Sequence, residues 1–184
     1  MTAVRLETAR LVLRPFARTD APHVLRLHGD RRVMRYIGRP ATLASVLERD
    51  LPHLLGRYDL AQGPGYWAAE VRATGEVVGW FELRPLEADP DGFELGYRLL
   101  PEAWGRGYAT EGAAALVRRA FEELGATRVV AKTMAVNVAS RRVMERVGMR
   151  LVRTVHQDWP DPLEGAEEGD VEYVLTRAEW ASRA

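Results

Sequence analysis

The sequence predicts an α/β fold in one domain: a mixed, mostly antiparallel sheet with helices flanking it. Three observations carry this reading. Short strand-like apolar runs recur along the chain, at Arg10–Phe16, Tyr66–Arg72, Glu76–Leu83 and Phe93–Leu100, the first and last of them with period-two alternation. Further on, Ala109, Ala113, Leu116, Val117, Ala120, Phe121 and Leu124 fall on one face of a long helix. An apolar strand at Arg128–Thr133 then returns beside the strand that precedes this helix, giving a parallel pair across a right-handed crossover. At 184 residues the chain suits one well-buried domain over 1–184, and no repeat or low-complexity linker divides it.

Taken in order, RLVLRPF alternates Leu11 and Leu13 with polar partners and ends at Pro15, as a strand does. Thr19 and Asp20 offer an N-cap to a short helix carrying Val24, Leu25 and Leu27 as far as Gly29. Asp30 caps a second piece, RRVMRYIG, which Gly38 and Pro40 close. Thr42 opens a third helix with Leu43, Val46, Leu47, Leu51, Leu54 and Leu55 as its core face, interrupted by Pro52. Gly63-Pro-Gly65 precedes two strands joined through Ala73-Thr74-Gly75 in an antiparallel hairpin. Pro85–Gly92, containing DPDG, reads as a loop into the strand Phe93–Leu100. Gly125 ends the long helix, and Asn137 caps a short one that stops at Gly148 with Ala139, Val143 and Val147 inward. Leu151–Gln157 and Val171–Thr176 are the last strands, on either side of an acidic loop.

Composition narrows the function. With 47% apolar and 28% charged residues and no net charge, the chain reads as a soluble globule with no global attraction to nucleic acid or an anionic membrane. No apolar run approaches the roughly 18 to 20 residues that span a bilayer, and the first residues lack the apolar core of a secretory signal. Cysteine is absent, which removes disulfides, thiolate nucleophiles and Cys–metal sites. A cytoplasmic monomer or homodimer is the expectation. His23, His28, His53 and His156 show no ligand spacing, so no metal is expected.

The chemistry is anchored at Pro101–Phe121. Gly105 and Gly107 lie between a strand and a helix that opens at about Ala109, where free N–H groups and the helix dipole converge on an anion. Neither GxGxxG nor GxxxxGK[ST] is present. What is present is Trp104-Gly-Arg-Gly-Tyr-Ala109-Thr-Glu111, with Phe93-Glu-Leu-Gly-Tyr97 upstream and Asn137-x-x-Ser140 to Gly148-Met149 downstream. This set resembles the GNAT superfamily of acetyl-CoA-dependent N-acetyltransferases, and within it the branch of the ribosomal-protein N-terminal acetyltransferases. Trp104 stands where the superfamily loop usually has Gln or Arg.

The resemblance implies a GNAT-like sheet with a splayed parallel pair, acetyl-CoA as cosubstrate, and an amine acceptor. That acceptor is a peptide N-terminus or a small molecule such as an aminoglycoside, amino acid or polyamine. It implies a strand bulge at Gly96-Tyr97 that frees the N–H groups of Arg98, Leu99 and Leu100 for the pantetheine and the thioester oxygen. Gly105, Arg106, Gly107, Tyr108, Ala109 and Thr110 would take the pyrophosphate, Asn137 would contact the cofactor besides capping its helix, and Ser140 would protonate the departing thiolate. Glu94 is the candidate base, because Phe93, Leu95, Tyr97 and Leu99 share one face and leave Glu94 on the other; Glu82 is its rival. A base matters because an α-amine of pKa about 7.7 to 8.0 is free only about a tenth of the time at pH 7, and a lysine amine far less. From another class comes an acyl-CoA-binding module without catalysis. Between His156 and Glu172 lie seven carboxylates and no Lys or Arg, so this loop, with Trp159, is expected to select a cationic acceptor.

Overall fold

The computed structural model describes residues 5–56, 63–158 and 160–183, so Trp159 lies outside the described residues. Its strands are β1 (Leu6–Glu7), β2 (Leu11–Pro15), β3 (Gly65–Val71), β4 (Val77–Leu86), β5 (Asp89–Leu99), β6 (Arg128–Met134), β7 (Arg150–Val155) and β8 (Asp170–Thr176). The helices are α1 (Ala21–His28), α2 (Arg31–Met34), α3 (Leu43–Ser45), α4 (Leu51–Gly56), α5 (Tyr108–Glu122), α6 (Val138–Arg146) and α7 (Arg177–Ala181). The strands form one sheet in the order β1-β2-β3-β4-β5-β6-β8-β7. Every pairing is antiparallel except β5 with β6, so the predicted mixed, mostly antiparallel sheet is the observed one.

Alternation along the central strands decides which residues meet which helices. Phe81, Leu83, Phe93, Leu95 and Leu99 point to the face covered by α5 and α6, where they join Trp67, Leu116, Val117, Phe121 and Tyr173 in the larger core. Tyr66 and Trp80 point the other way and pack with Val24, Leu27, Val46, Leu51 and Leu54 from the N-terminal helices. A Cβ added at Gly112 of α5 would collide with the Phe81 ring, so glycine is what lets this helix lie against the sheet.

Several expectations need correcting. Pro85–Gly92 is a hairpin rather than a loop: β4 and β5 run through it, pairing Pro85 with Phe93 and, past a bulge, Leu86 with Asp89. Pro90 is tolerated because pairing with β6 begins only at Gly92, so no rung is forfeited on that edge. The helix across Pro52 does not continue uniformly. Residues Val46–Asp50 form a π-helical turn, with Leu51 N–H reaching Val46 O, and this wider turn absorbs the interruption. Val46, Leu51 and Leu54 are buried as expected, whereas Leu43 and Leu47 are 55% and 51% exposed. Two elements were not foreseen, the two-residue β1 and the short α7, whose N-cap Thr176 accepts from Glu179 N–H. No helix among the described residues is long and apolar enough to cross a membrane.

Candidate active site

The site forms where the sheet comes apart. The parallel ladder consists of Gly92 with Arg128, Phe93 with Val129 and Glu94 with Val130, and it stops there. β5 continues to Leu99 on its β4 side alone. Leu100 N–H donates to Val78 O at 2.8 Å, and alternation then directs Arg98 N–H to β4 as well. Leu99 therefore turns both backbone groups to the edge that β6 has left. Its carbonyl accepts from the indole Nε1 of Trp104 at 2.8 Å, and its N–H faces the same gap. Of the three amides expected to be free, this geometry leaves Leu99 N–H on the open edge. The expectation for Leu100 is corrected, since its amide is a rung of the sheet and its side chain is core.

A cavity of about 490 Å³ runs through the gap. Tyr97 and Leu99 line it from one face of the sheet, Arg98 with Val33, Tyr36 and Ile37 from the other. Gly105, Gly107, Ala109 and Thr110 close one end, and Asn137, Ser140, Arg142 and Arg146 form the wall on α6. Gly107 is the N-cap of α5 with φ 81°, a left-handed conformation that favours glycine, and no side chain caps this helix. The first intrahelical bond is Glu111 N–H to Gly107 O at 3.0 Å, so the amides from Tyr108 to Thr110 precede the ladder of α5. Eight of the expected residues thus meet in one place: Arg98, Leu99, Gly105, Gly107, Ala109, Thr110, Asn137 and Ser140. Arg106 and Tyr108 do not line it. Arg106 O accepts from Arg10 Nη1, and the Tyr108 ring lies under the Arg10 guanidinium.

Ser140 sits at N3 of α6, where its N–H donates to Asn137 Oδ1 at 3.3 Å, while Asn137 Nδ2 reaches Thr133 Oγ1 at 3.0 Å. Asn137 therefore caps its helix and faces the cavity at once. Tyr97 OH lies 3.0 Å from Ser140 Oγ and 3.0 Å from Ser140 O. Burial pushes the Tyr97 phenol up to about 12, against a lowering hydrogen bond with Ser140, so it holds its proton throughout the neutral range.

Both candidate carboxylates lie on the face opposite α5 and neither lines the cavity, but their partners differ. Glu94 Oε1 accepts from Arg84 Nη2 at 2.6 Å and belongs to a separate hollow with Arg128, Lys132 and Arg153, outside the cavity. Glu82 is packed over Gly96 so closely that a Cβ there would collide with its Oε1. Burial raises the Glu82 pKa above the usual carboxylate range, opposed by a hydrogen bond from the Tyr66 hydroxyl and by the charge of Arg84. The Arg98 guanidinium lies 4.9 Å above the Trp80 ring, and burial lowers its pKa to about 10. Trp80 in turn donates Nε1–H to His28 Nε2 at 3.0 Å, and His28 Nδ1 meets Asp50 Oδ2 at 2.9 Å.

A second cavity of about 430 Å³ adjoins the first, sharing Tyr36 and Ile37. Met134, Gln157, Leu163 and Asp170 line it, and Arg39 crosses it to Asp161 at 2.6 Å. Arg35 similarly faces Glu164 at 3.4 Å, so two carboxylates of the acidic loop are met by arginines from the segment after α2. Sequence reasoning missed Tyr36, Ile37, Arg142 and Arg146 as site residues. The i,i+4 spacing of the two arginines on the α6 face that also carries Ser140 and Val143 was a usable signal. Among the described residues, no group of three or more His, Asp or Glu is placed to hold a metal ion.

The comparisons with known proteins agree with this geometry. The acetyltransferase (GNAT) domain family matches residues 10–150. FsC-acetyl coenzyme A-N(2)-transacetylase of Aspergillus fumigatus is 39% identical, the match covering 95% of this chain and 77% of that one. The acetyltransferase structure from Agrobacterium tumefaciens str. C58 is 30% identical with a TM-score of 0.73 over 95% of each chain. An aminoglycoside acetyltransferase in complex with coenzyme A shares the fold at a TM-score of 0.73 and 21% identity, over 95% of this chain and 99% of the other. The chain belongs to the acetyltransferase (GNAT) family and is an acetyl-CoA-dependent N-acetyltransferase.

Proposed function

We propose that this enzyme acetylates the primary amine of a small molecule held in the second cavity. The observation that carries this is the junction at Tyr36 and Ile37, which line both the cavity suited to the cofactor and a second one of small-molecule size. The name of the 39% identical relative, which specifies an N(2) position on FsC, supports a small-molecule acceptor. A peptide N-terminal α-amine is the second reading, favoured by the Trp104-Gly-Arg-Gly loop and its likeness to the ribosomal-protein branch.

The roles follow from position. Gly105, Gly107, Ala109 and Thr110 receive the pyrophosphate at the uncapped start of α5, with Arg142 and Arg146 adding positive charge. Leu99 N–H, fixed by the strand and by Trp104 on its own carbonyl, polarises the thioester oxygen; such a donor contributes about 2.7 to 4 kcal/mol where its geometry is right. Glu82, which lines neither cavity and reaches the acceptor through water, takes its ammonium proton in preference to Glu94, whose carboxylate pairs with Arg84 at 2.6 Å against 4.0 Å for Glu82. The amine nitrogen forms its bond to the acetyl carbon as the carbon–sulfur bond breaks. Tyr97, joined to Ser140 Oγ, supplies the proton to the leaving sulfur and regains one from the nitrogen, which sheds its second proton as the amide forms, while the proton on Glu82 passes to solvent. Ser140 thus acts through Tyr97 rather than alone.

The test is acetyl transfer from acetyl-CoA to a panel of amino acids, polyamines, aminoglycosides and peptides, read by mass spectrometry. Products on small amines are expected. Products confined to peptides would move the assignment to the second reading.

A further inference from the structure

Arg10 lies at the entry to β2, outside the cavity, yet it grips the phosphate loop from behind. Its Nη1 donates to Arg106 O at 2.8 Å. Its Nε and Nη2 both reach Glu111 Oε2 at 2.7 Å, and its own backbone N–H donates to Glu111 Oε1 at 2.7 Å. Thr8 Oγ1 adds a fourth donor to this carboxylate at 2.6 Å. The guanidinium also covers the Tyr108 ring at 4.8 Å, and its Nη2 would lie 3.2 Å from a Cβ added at Gly107.

Peptide geometry turns this grip into a direction. A trans peptide is planar, so the carbonyl of Arg106 and the N–H of Gly107 point opposite ways. With the carbonyl drawn out toward Arg10, the N–H is turned toward the cavity that Gly107 lines. Glu111 couples the device to the helix, because its backbone makes the first α5 hydrogen bond while its side chain holds Arg10. Only a planar fork of donors can hold a carbonyl and a carboxylate at once and still lie flat on an aromatic ring; a lysine ammonium cannot.

We propose that Arg10, locked by Glu111, is a positioning residue that aims the Gly107 amide and the first turn of α5 at the cofactor pyrophosphate without itself touching the cofactor. This rests on the assignment of the first cavity to coenzyme A.

The experiment compares two ligands by backbone amide shifts in isotope-labelled protein: coenzyme A, and pantetheine, which lacks the pyrophosphate. In the wild type, coenzyme A is expected to shift the amides of 105–110. Arg10→Met and Arg10→Lys are each expected to weaken coenzyme A by about tenfold, the scale of one lost charge-assisted hydrogen bond, with pantetheine affinity unchanged and faster amide exchange at 107–110. Glu111→Gln, which releases Arg10 while keeping the volume, is expected to reproduce the loss and serves if the Arg10 variants do not fold. Equal weakening of both ligands, unchanged coenzyme A affinity, or full recovery by lysine would each overturn the proposal. If wild-type coenzyme A binds without shifting 105–110, the cavity assignment falls first and the proposal with it.

Discussion

Replacing Glu82 by Gln tests the chemistry at its centre. The amide keeps the size of the carboxylate over Gly96 and can still accept from the Tyr66 hydroxyl, so the site is disturbed in its basicity more than in its shape. General-base assistance is typically about 10²- to 10⁴-fold, and turnover at pH 7 should fall within that range while the coenzyme A dissociation constant holds. An α-amine acceptor is free about a tenth of the time at pH 7 and about nine-tenths at pH 9, so the variant should recover about ninefold over this interval. The wild type should lose activity as pH falls through the raised Glu82 pKa, because only the carboxylate accepts a proton, and this acid limb should vanish in the variant. Glu94→Gln is the control. It removes a pair to an Arg84 side chain that is 38% exposed, so water can replace the partner at about 0.2 to 1 kcal/mol of stability, with turnover unaffected. Thiol release from acetyl-CoA between pH 6 and 9.5 reads all three enzymes. Wild-type turnover in Glu82→Gln at pH 7, or an equal fall in Glu94→Gln, would refute the assignment.

Three further outcomes are expected. Asp20 is buried and accepts from both terminal nitrogens of Arg14 at 2.8 and 2.9 Å and from Ala17 N–H; removing it with Asp20→Ala should cost about 3 kcal/mol, near the lower end for a broken buried pair because Arg14 reaches solvent, and lower Tm measurably in a thermal melt. Burial, with the charge of Arg98, holds the His28 pKa below 6.5 despite the Asp50 hydrogen bond, so the unfolded chain takes up the proton first and stability should decline as pH drops below about 6.5; urea melts of His28→Gln should show a shallower decline over that window. Neutralising Asp161 and Glu164 together should raise the Michaelis constant of a cationic acceptor more at low salt than at high, with acetyl-CoA kinetics unchanged, and identical constants for charged and neutral acceptors would reduce the loop to surface.

What the sequence disclosed was local. The glycines at 105 and 107, the apolar face of α5 and the Asn137 cap each depend on residues close in sequence, the crossover to β6 on one consecutive strand–helix–strand unit, and all are present as read. What it withheld depends on register. That Glu94 meets Arg84, that Glu82 packs over Gly96, and that Leu100 remains a rung are consequences of the β4–β5 pairing, which a misread hairpin at Pro85–Gly92 left undefined. The grip of Arg10 on Glu111 spans a hundred residues and carries no periodic signature. Tyr36 and Ile37 lie beyond the end of α2, where neither helix nor strand periodicity marks a residue as lining a site.

The fit of Gly112 against Phe81 has a consequence for the site that its location does not advertise. Only three residue pairs stitch β5 to β6, so the ladder itself does little to fix how far the two halves of the sheet diverge. The gauge is instead α5, which bears on β4 and β5 on one side of the seam and on β6 on the other. Phe81 lies beneath it in contact with Tyr97, a wall of the cavity, at 6.1 Å between rings. A single methyl group at 112, too far along the helix to line the cavity at its N-terminus, would lift the helix, tilt that ring and reset the width of the gap that Tyr97 walls.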